Sequence, residues 1–355
     1  MATLSESAER RPVPLEEDAL DPLAGGAEFA GQALNRPPTV DGAGFIWAYV
    51  IFVPLFHLML PLVVVPWLFS WTGLLLVPLG CYAFGGLGLG AGYHRLLTHR
   101  SFRCPKWVER TLAVLGVCSL QDTPARWVMI HRLHHQHADR QPDPHSPLVT
   151  LFWGHMGWLM VKNRLLSSPD TYYRYARDIL QDPFYLRFER GLLWVWVYLA
   201  HALLFYFAGF AAGWAMSGEL MGGVQFGSSL LLYGVIVRTV YTWHVTWGIN
   251  SFGHLWGYRN YETNENSRNN WFFALIGNGE GWHNNHHGDP RSAAHGHHRW
   301  WEIDITYLTI RGLELIGLAS DVVRPRRLAR PQTESAPPND VPTGAPTGAP
   351  TGANG

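Results

Sequence analysis

The chain has 355 residues, and its 27 Lys and Arg balance its 27 Asp and Glu. Because no basic face dominates, there is no case for a nucleic-acid partner. Charged residues form only 15% of the chain and aromatic residues 14%, which indicates a protein partly solvated by lipid. The three cysteines, Cys81, Cys104 and Cys118, make no paired framework and are expected to be small buried residues.

Residues 1–40 have no periodic pattern and lack the basic-then-apolar order of a signal peptide, so they are predicted to form a flexible arm. Residues 42–93 contain no Asp, Glu, Lys or Arg. A membrane-spanning helix needs about 20 apolar residues, so this stretch can hold two spans with a turn at 66–73. A second apolar pair follows, and its loop carries only the charge of Glu219. The predicted spans are 45–65, 74–90, 192–214 and 224–246.

Both predicted hairpins turn on the same side of the membrane, and basic residues concentrate in the segments on the other side. By the positive-inside tendency, those segments and both termini are expected in the cytoplasm. Arg238 falls inside the fourth span, so either it is buried against a partner or the boundary is wrong. The apolar segment 111–120 is too short to cross and should lie at the interface or pack against the cytoplasmic part. Residues 326–355 form a low-complexity tail that is predicted to be disordered.

Histidine is the most informative residue type, with 18 copies. On a helix, His283, His286 and His287 stand at i, i+3 and i+4, so their imidazoles project from one face and can converge on a metal ion. The same H-x-x-H-H spacing occurs earlier in the chain, and a looser pair precedes it. These further candidate ligands are His131, His134 and His135, and then His94 and His99.

The number of candidate ligands narrows the choice of site. Eight histidines exceed the four ligands of a structural zinc site and suit two metal ions in one pocket. Asn250 and His254 stand at i and i+4 just beyond the fourth span, which makes His254 a plausible ninth ligand. Neutral imidazole binds zinc, copper, iron and nickel, so the metal stays open. A two-metal redox site, zinc-dependent hydrolysis and metal transport all remain compatible with these residues.

Carboxylates near the histidines could accept N–H bonds from ligand imidazoles. The candidates are Asp122, Asp139, Asp143, Glu262, Glu265, Glu280 and Asp289. Other histidines are expected not to bind metal. His57 and His201 should each satisfy a neighbour within a span. A surface or interfacial role is predicted for His295, His297 and His298, and a role other than ligation is favoured for His137, His145, His155 and His244.

Three histidine boxes follow one another in order: GYHRLLTHRSF at 92–102, HRLHH at 131–135 and GEGWHNNHH at 279–287. Together with NSFGH at 250–254, they resemble the membrane fatty acyl desaturases of the stearoyl-CoA desaturase type. The resemblance runs from about residue 45 to 325. It implies an integral-membrane desaturase domain at 41–325. It implies an all-α membrane protein with four transmembrane helices in two hairpins under a cytoplasmic helical cap.

The resemblance also implies a reaction and its site. The family's enzymes use two iron ions and O₂ to introduce a cis double bond, commonly at the Δ9 position, into a long saturated acyl chain held in a bent tunnel. Asn250 matches the position that holds a water on one iron. The family's iron ligands fall on His94, His99, His131, His134, His135, His254, His283, His286 and His287.

The resemblance leaves the acyl carrier open between CoA, a lipid and acyl carrier protein. In the animal acyl-CoA enzymes a charged pair that contacts the CoA head precedes the second box, whereas Met129 and Ile130 stand here. The stretch DPHSP at 143–147 resembles the acyl-lipid branch and favours a bacterial inner membrane. Lys162 and Arg164 are candidate substrate-binding residues, because they could meet a phosphate or a lipid head group.

The electrons are expected from another protein, because neither tail carries a haem-binding or flavin-like segment. A ferredoxin, rubredoxin or cytochrome-type donor with its reductase is the implied partner. Two alternatives are kept. A related di-iron membrane hydroxylase would share the boxes but differ in their spacing and in the Gly-Glu-Gly-Trp context. A membrane metal transporter should place its ligands at mid-membrane, inside the spans.

Overall fold

A computed structural model describes residues 33–326 of the chain. Residues 1–32 of the predicted arm and 327–355 of the predicted tail lie outside this part, so both predictions stay predictions. A short helical stretch, Trp153–Gly157 and then Trp158–Met160, precedes the second strand. In chain order the other elements are β1 (Val40–Phe45), α1 (Trp47–Val64), α2 (Trp71–Thr98), α3 (Lys106–Val117), α4 (Pro124–His137), β2 (Val161–Asn163), α5 (Pro169–Leu180), α6 (Pro183–Glu189), α7 (Leu193–Ser217), α8 (Leu220–Phe252), α9 (Trp271–Ile276), α10 (His283–Gly288) and α11 (Ile305–Leu315).

Four helices, α1, α2, α7 and α8, are long and apolar enough to cross a bilayer, as the sequence predicted. In α1 and α7 only 6% and 11% of the most apolar stretch is buried against protein, compared with 44% in both α2 and α8. The outer pair therefore exposes apolar surface suited to lipid. The inner pair is longer than predicted, because α2 continues to Thr98 and α8 to Phe252. These extensions carry the chain toward the histidines.

Small residues bring α7 and α8 together. Gly218, in the left-handed conformation with φ of 71°, ends α7 and lets the chain reverse into α8. A Cβ added at Gly213 would lie 2.5 Å from the carbonyl oxygen of Gly222, so only glycine permits this approach. Such close backbone contact is how helices commonly associate in lipid, where the hydrophobic effect gives no drive for pairing.

Helix α3 packs on the second half of α2, where the backbone is wound as a π-helix from Cys81 to Thr98. A Cβ at Gly88 would lie 2.5 Å from the amide nitrogen of Gly116, so the two backbones touch. Leu112 and Val117 are buried in the same contact region. The short apolar segment at 111–120 thus buries its apolar side against α2, and this packing fixes the end of α2 that carries the first histidines.

Arg238 is fully buried within α8, and its partners explain how a membrane helix accommodates it. Its guanidinium donates to the carbonyl oxygen of Cys118 at 2.8 Å and to Nε2 of His201 at 3.1 Å. It also lies over the ring of Phe84, with 4.1 Å to the ring centroid. Of the two alternatives left by the sequence, the buried partner is correct, and His201 satisfies a neighbour as predicted.

The described residues are mostly helical, as predicted, and they also contain one short two-stranded sheet. Strands β1 and β2 pair antiparallel, with Val40 opposite Asn163 and Phe45 opposite Val161. The pairing was missed because β2 has only three residues, too few to show an alternating pattern. The sheet joins the entrance of α1 to the segment that follows the second histidine box.

Candidate metal centre

Three helices and one helix end bring all nine predicted histidines to one place. His94 lies in the last turns of α2, and His99 follows the end of that helix. Helix α4 begins at Pro124, where the Thr123 hydroxyl accepts from a backbone amide in the first turn and defines the start. His254 lies two residues beyond the end of α8. Helix α4 carries His131, His134 and His135, and α10 carries His283, His286 and His287.

The nine histidines form two groups, within each of which the potential ligand atoms all lie within 4.8 Å of one another. The first histidine group draws on α2, α4 and α10, and the second on α4, α10 and the end of α8. The first group is His94, His99, His131, His135 and His286. The second group is His134, His254, His283 and His287.

Imidazole nitrogens face each other across the first histidine group. His286 Nε2 lies 3.0 Å from His94 Nε2 and 2.8 Å from His135 Nε2. His131 Nε2 lies 3.0 Å from His135 Nε2 and 3.2 Å from His99 Nε2. In the second group, His254 Nε2 lies 3.0 Å from His283 Nε2. Nε2 of His134 and of His287 is buried without a hydrogen-bond partner in the described residues.

Carboxylates determine which nitrogen of three imidazoles carries the proton. Since an ionised carboxylate only accepts, the facing Nδ1 must donate its hydrogen, and Nε2 is left with a lone pair for a metal. The three pairs are His94 Nδ1 to Glu280 at 2.5 Å, His134 Nδ1 to Asp143 at 3.0 Å, and His254 Nδ1 to Asp139 at 2.8 Å.

The other carboxylates predicted near the histidines lie in different positions. Glu265 lies at longer range, 3.6 Å from His254 Nδ1 and 3.8 Å from His287 Nδ1. Asp122 pairs with Arg126 instead, at 3.3 Å. Glu262 is exposed and Asp289 is buried at the end of α10.

The electrostatics of the site favour neutral imidazoles. Burial lowers the pKa of His131, His135, His286 and His287 well below the usual range, and the neighbouring histidines lower it further. His254 differs, because the charge of Asp139 outweighs burial and raises its pKa to about 9, so a metal ion must displace the Nε2 proton of this ring. Neutral imidazole is the ligand form, and converging lone pairs at these distances repel unless a cation lies between them. The donor set therefore fits nitrogen-binding transition metals.

A second layer of charge supports Glu280. The buried Arg95 donates to Glu280 at 2.8 Å, to Asp304 at 3.0 Å and to the carbonyl oxygen of Ala293 at 2.8 Å. Arg95 thus holds the carboxylate that orients His94, and no local sequence pattern singles this arginine out. Asp304 also caps α11 by accepting from the Tyr307 amide, so this network ties α11 to the centre.

His295 corrects the prediction of a surface or interfacial role. It is fully buried, accepts from Arg95 at 3.2 Å, and its ring centroid lies 4.5 Å from that of His286. Arg95 and Glu280 recruit it, and only the fold brings them together. His297 and His298 are partly buried beside Tyr261.

The four histidines for which a role other than ligation is favoured, together with His57, take packing or hydrogen-bonding positions. His145 is buried with its ring centroid 4.3 Å from that of His134, while His137 is partly exposed. His57 Nε2 lies 2.8 Å from His244 Nε2, and His244 Nδ1 lies 2.9 Å from His155 Nε2. His57 thus satisfies a neighbour, as predicted.

An apolar cavity of about 840 Å³ ends at the histidines. Its walls come mostly from apolar side chains of α1, α2, α4, α7 and α8, such as Phe52, Leu89 and Trp243. Residues from both histidine groups close one part of it, and Asn250 also lines it. The polar lining includes His94, His131, Asn250, Glu280 and His283.

The candidate substrate residues differ in their relation to this cavity. Lys162 lines it, and the exposed Arg164, two residues further along, is not among its lining residues. Met129 is fully buried and Ile130 is 6% exposed, so neither can contact a head group at the surface. Ile130 contributes to the cavity wall instead.

Four apolar spans, converging imidazoles and an apolar cavity that ends at them define a membrane protein whose histidine clusters could hold metal ions beside an apolar cavity. Comparison with known families makes the class specific: the fatty acid desaturase family matches residues 66–313, and the chain belongs to it. It is therefore an oxidoreductase that desaturates fatty acyl chains. This assignment replaces the alternative functions of zinc-dependent hydrolysis, metal transport and hydroxylation.

Curated relatives agree on desaturation but differ in the acyl carrier and in the position of the double bond. The sn-2 palmitoyl-lipid 9-desaturase of Nostoc sp. is 40% identical over 278 residues, 78% of this chain and 90% of the relative. The sn-1 stearoyl-lipid 9-desaturase of Synechocystis sp. is 38% identical over 283 residues, 80% of this chain and 82% of the relative. The acyl-CoA 5-desaturase of Anemone leveillei is 40% identical over 261 residues, 73% of this chain and 74% of the relative.

Proposed function

We propose that the protein introduces a cis double bond at the Δ9 position of a long, saturated, lipid-linked acyl chain, using O₂ and two electrons at a di-iron centre. The observation that carries this proposal is the apolar cavity that ends at imidazoles of both histidine groups. A hydrocarbon in that cavity would lie against the metal ligands. In the overall balance, the acyl chain loses two hydrogen atoms. O₂ takes up these hydrogens together with two electrons and two protons, which gives two waters.

The first histidine group would hold one iron and the second group the other, with Asn250 reaching the second through a water. Bound iron supplies the oxidising power that an unactivated methylene requires, because acid–base chemistry cannot break so strong a C–H bond. The protein supplies position. Glu280, Asp143 and Asp139 keep three imidazoles in the orientation that presents Nε2.

The cavity walls would select the methylenes that react. Trp243, Phe56 and Tyr198 line the cavity and are packed against one another, with 5.2 Å between the ring centroids of Phe56 and Trp243. Rigid aromatic walls restrict the conformations of a bound chain, and a misplacement of about 1 Å would present a different carbon. The same walls exclude water from the reacting carbons.

A lipid carrier is supported by two observations. The Nostoc and Synechocystis relatives are named as desaturases of acyl-lipids. Met129 and Ile130 are apolar and buried, so these positions offer no charged contact for a CoA head group. Lys162 would meet the polar end of the substrate at the cavity edge, with Arg164 nearby in sequence. The acyl-CoA relative keeps CoA as the alternative that the experiment must exclude.

The proposed membrane arrangement follows from charge. Two hairpins, α1–α2 and α7–α8, would leave both termini and the helical cap with the metal centre in the cytoplasm, because basic residues concentrate there. The membrane would be a bacterial inner membrane. An external ferredoxin, rubredoxin or cytochrome-type donor, with its reductase, would deliver the two electrons.

Expression in a desaturase-deficient host tests the proposal. Gas chromatography with mapping of the double bond should find Δ9-unsaturated chains, and the His286→Ala variant should yield none. Isolated membranes given either stearoyl-CoA, with acyl transfer blocked, or a preformed stearoyl lipid should desaturate only the lipid. A hydroxylated product would overturn desaturation, and turnover of stearoyl-CoA without transfer would overturn the lipid carrier alone.

A further inference from the structure

A second cavity reaches the metal centre from another direction. It has a volume of about 410 Å³ and is lined mainly by polar residues between Tyr261 and Glu265 together with the end of α10. His135 of the first histidine group and His287 of the second both line it. This polar cavity therefore touches one imidazole from each group, at the place where the two rings stack 4.3 Å apart.

The apolar cavity is a poor route for a metal ion. Its walls are mostly aromatic and aliphatic, so a divalent cation would meet few oxygen ligands in exchange for the water that it sheds there. The polar cavity offers oxygen ligands in place of the lost water. Of the two described cavities that reach the histidines, it is the one that a hydrated cation can enter.

Two carboxylates mark successive depths along the polar cavity. Glu262 is exposed at its edge. Glu265 is partly buried and held by the Ser267 amide at 2.5 Å and the Ser267 hydroxyl at 2.6 Å. From that position its carboxylate lies 3.8 Å from His287 Nδ1, too far for a good hydrogen bond. Ser267 thus holds the Glu265 carboxylate beside the His287 imidazole, with no close hydrogen bond between the two.

The other ring nitrogen of His287, on the side away from Glu265, is a candidate ligand of the metal centre. Its side chain is 3% exposed, and its Nε2 has no hydrogen-bond partner in the described residues. That nitrogen belongs to a group of four potential ligands. The loop that carries the carboxylates is anchored from outside, because Arg259 donates to the Thr263 carbonyl and hydroxyl oxygens at 2.7 and 2.8 Å. Glu262 and Glu265 thus stand on an anchored loop and line the same cavity as His287.

We propose that Glu262 and Glu265 form an entry site for divalent metal ions, through which the polar cavity loads both histidine groups. This inference rests on the metal centre of the proposed function. Carboxylate oxygens take the ion while it keeps most of its water, and the softer imidazoles then replace them as it moves inward. The negative charge at the mouth raises the local cation concentration and so the rate of loading.

Cobalt(II) uptake by metal-free, detergent-purified protein tests this inference, because cobalt absorbs visibly when nitrogen ligands bind it. With Glu262→Gln, uptake at low ionic strength should be about tenfold slower, and the final cobalt content should equal that of the wild type. The difference should shrink as salt screens the charge. Glu262→Asp, which keeps the charge, should load at nearly the wild-type rate, and Glu265→Gln should also load slowly.

Glu219→Gln is the matched control, because Glu219 is an exposed carboxylate at the other end of the spans, between α7 and α8. Its loading rate should not change. Equal rates for Glu262→Gln and wild type would overturn the entry site while leaving the metal centre intact. A wild-type protein that binds no cobalt would overturn the metal centre and the entry site together. Desaturation is not needed for any of these readouts.

Discussion

The imidazoles of His135 and His287 stack with their ring centroids 4.3 Å apart and an angle of 21° between their planes, although they belong to different histidine groups. The two histidine groups therefore meet at this stacked pair of rings. Removing a ring from either group leaves space beside the other, so a substitution in one group should also disturb the other.

His286→Ala should abolish desaturation and lower the metal content. Its Nε2 faces both His94 and His135 in the first group, and the side chain is fully buried. Loss of a ligand should reduce turnover by at least about 100-fold, because removal of outer partners alone costs 10–100-fold in metal sites. Iron per chain and product formation are the two measurements.

His297→Ala is the comparison for His286→Ala. Its ring contacts Tyr261 and His298 rather than either histidine group, so iron content and turnover should be retained. Loss of iron in His297→Ala would show that the metal centre extends further than the nine histidines. Full activity with normal iron in His286→Ala would remove that residue from the ligand set.

Much of the centre could be predicted because its ligands come in local patterns. The spacing of His131, His134 and His135 on α4 fixes a shared helical face, and such a spacing is visible in the sequence. The four spans were equally visible, since lipid imposes long apolar runs. What remained hidden depends on contacts between distant segments. Arg95 meets Glu280 and His295 across about 185 and 200 residues, and no local period reports such a meeting.

The limits of α2 and α8 were also hidden, for a different reason. Hydropathy marks where lipid ends, whereas a helix continues for as long as packing supports it. Helix α2 leaves the predicted span at residue 90 and continues to Thr98 because α3 covers its glycine-lined face. His94 is consequently held on a rigid helix instead of a loop.

Glu280→Gln should weaken metal binding by roughly 10–100-fold. The amide lacks the negative charge that accepts from His94 Nδ1, which lies 2.5 Å from the Glu280 carboxylate oxygen. Arg95 would then keep only Asp304 as a carboxylate partner. Titration of metal-free protein with cobalt(II) gives the affinity. Glu314→Gln, which removes a surface pair with Arg324, should leave the affinity unchanged. Equal affinities for the two variants would show that Glu280 does not support His94.

Metal-free protein should lose thermal stability as the pH falls from 7 to 5. Burial holds the pKa of His131, His135, His286 and His287 below their unfolded value near 6.5, so below that pH the unfolded chain binds more protons than the folded one. His254, with its pKa raised to about 9, acts in the opposite sense, but its contribution is lost mainly between pH 6.5 and 9.

Melting temperatures of metal-free protein between pH 7 and 5 check this dependence. Metal-loaded protein should melt higher at pH 7, and the gain should shrink with acid as protons compete for the imidazoles. A metal-free melting temperature that is constant over this range would mean that the histidines are not held neutral by burial.

Gly85→Leu should shorten the acyl chains that are desaturated. Gly85 lines the apolar cavity and precedes His94 by nine residues, so it lies further along α2 from the histidines. A chain that reacts near the histidines would place its methyl end at that depth. The larger side chain should therefore lower the ratio of C18 to C16 products, measured by gas chromatography of total lipids. Gly312→Leu, at an exposed position of α11 with open space around its Cβ, should leave the ratio unchanged.

Lys162→Ala should raise KM for a lipid substrate with little change in kcat. Lys162 is exposed and lines the apolar cavity, so its ammonium is placed to contact the polar end of a bound lipid rather than the reacting carbons. Such a contact is equally strong before and during the reaction, and its loss appears in KM. A charge contact at a membrane surface contributes about 1 kcal/mol, so KM should rise roughly fivefold. Arg164→Ala should have a smaller effect, because Arg164 does not line the cavity, and a larger effect of Arg164→Ala would move the head-group site away from the cavity edge.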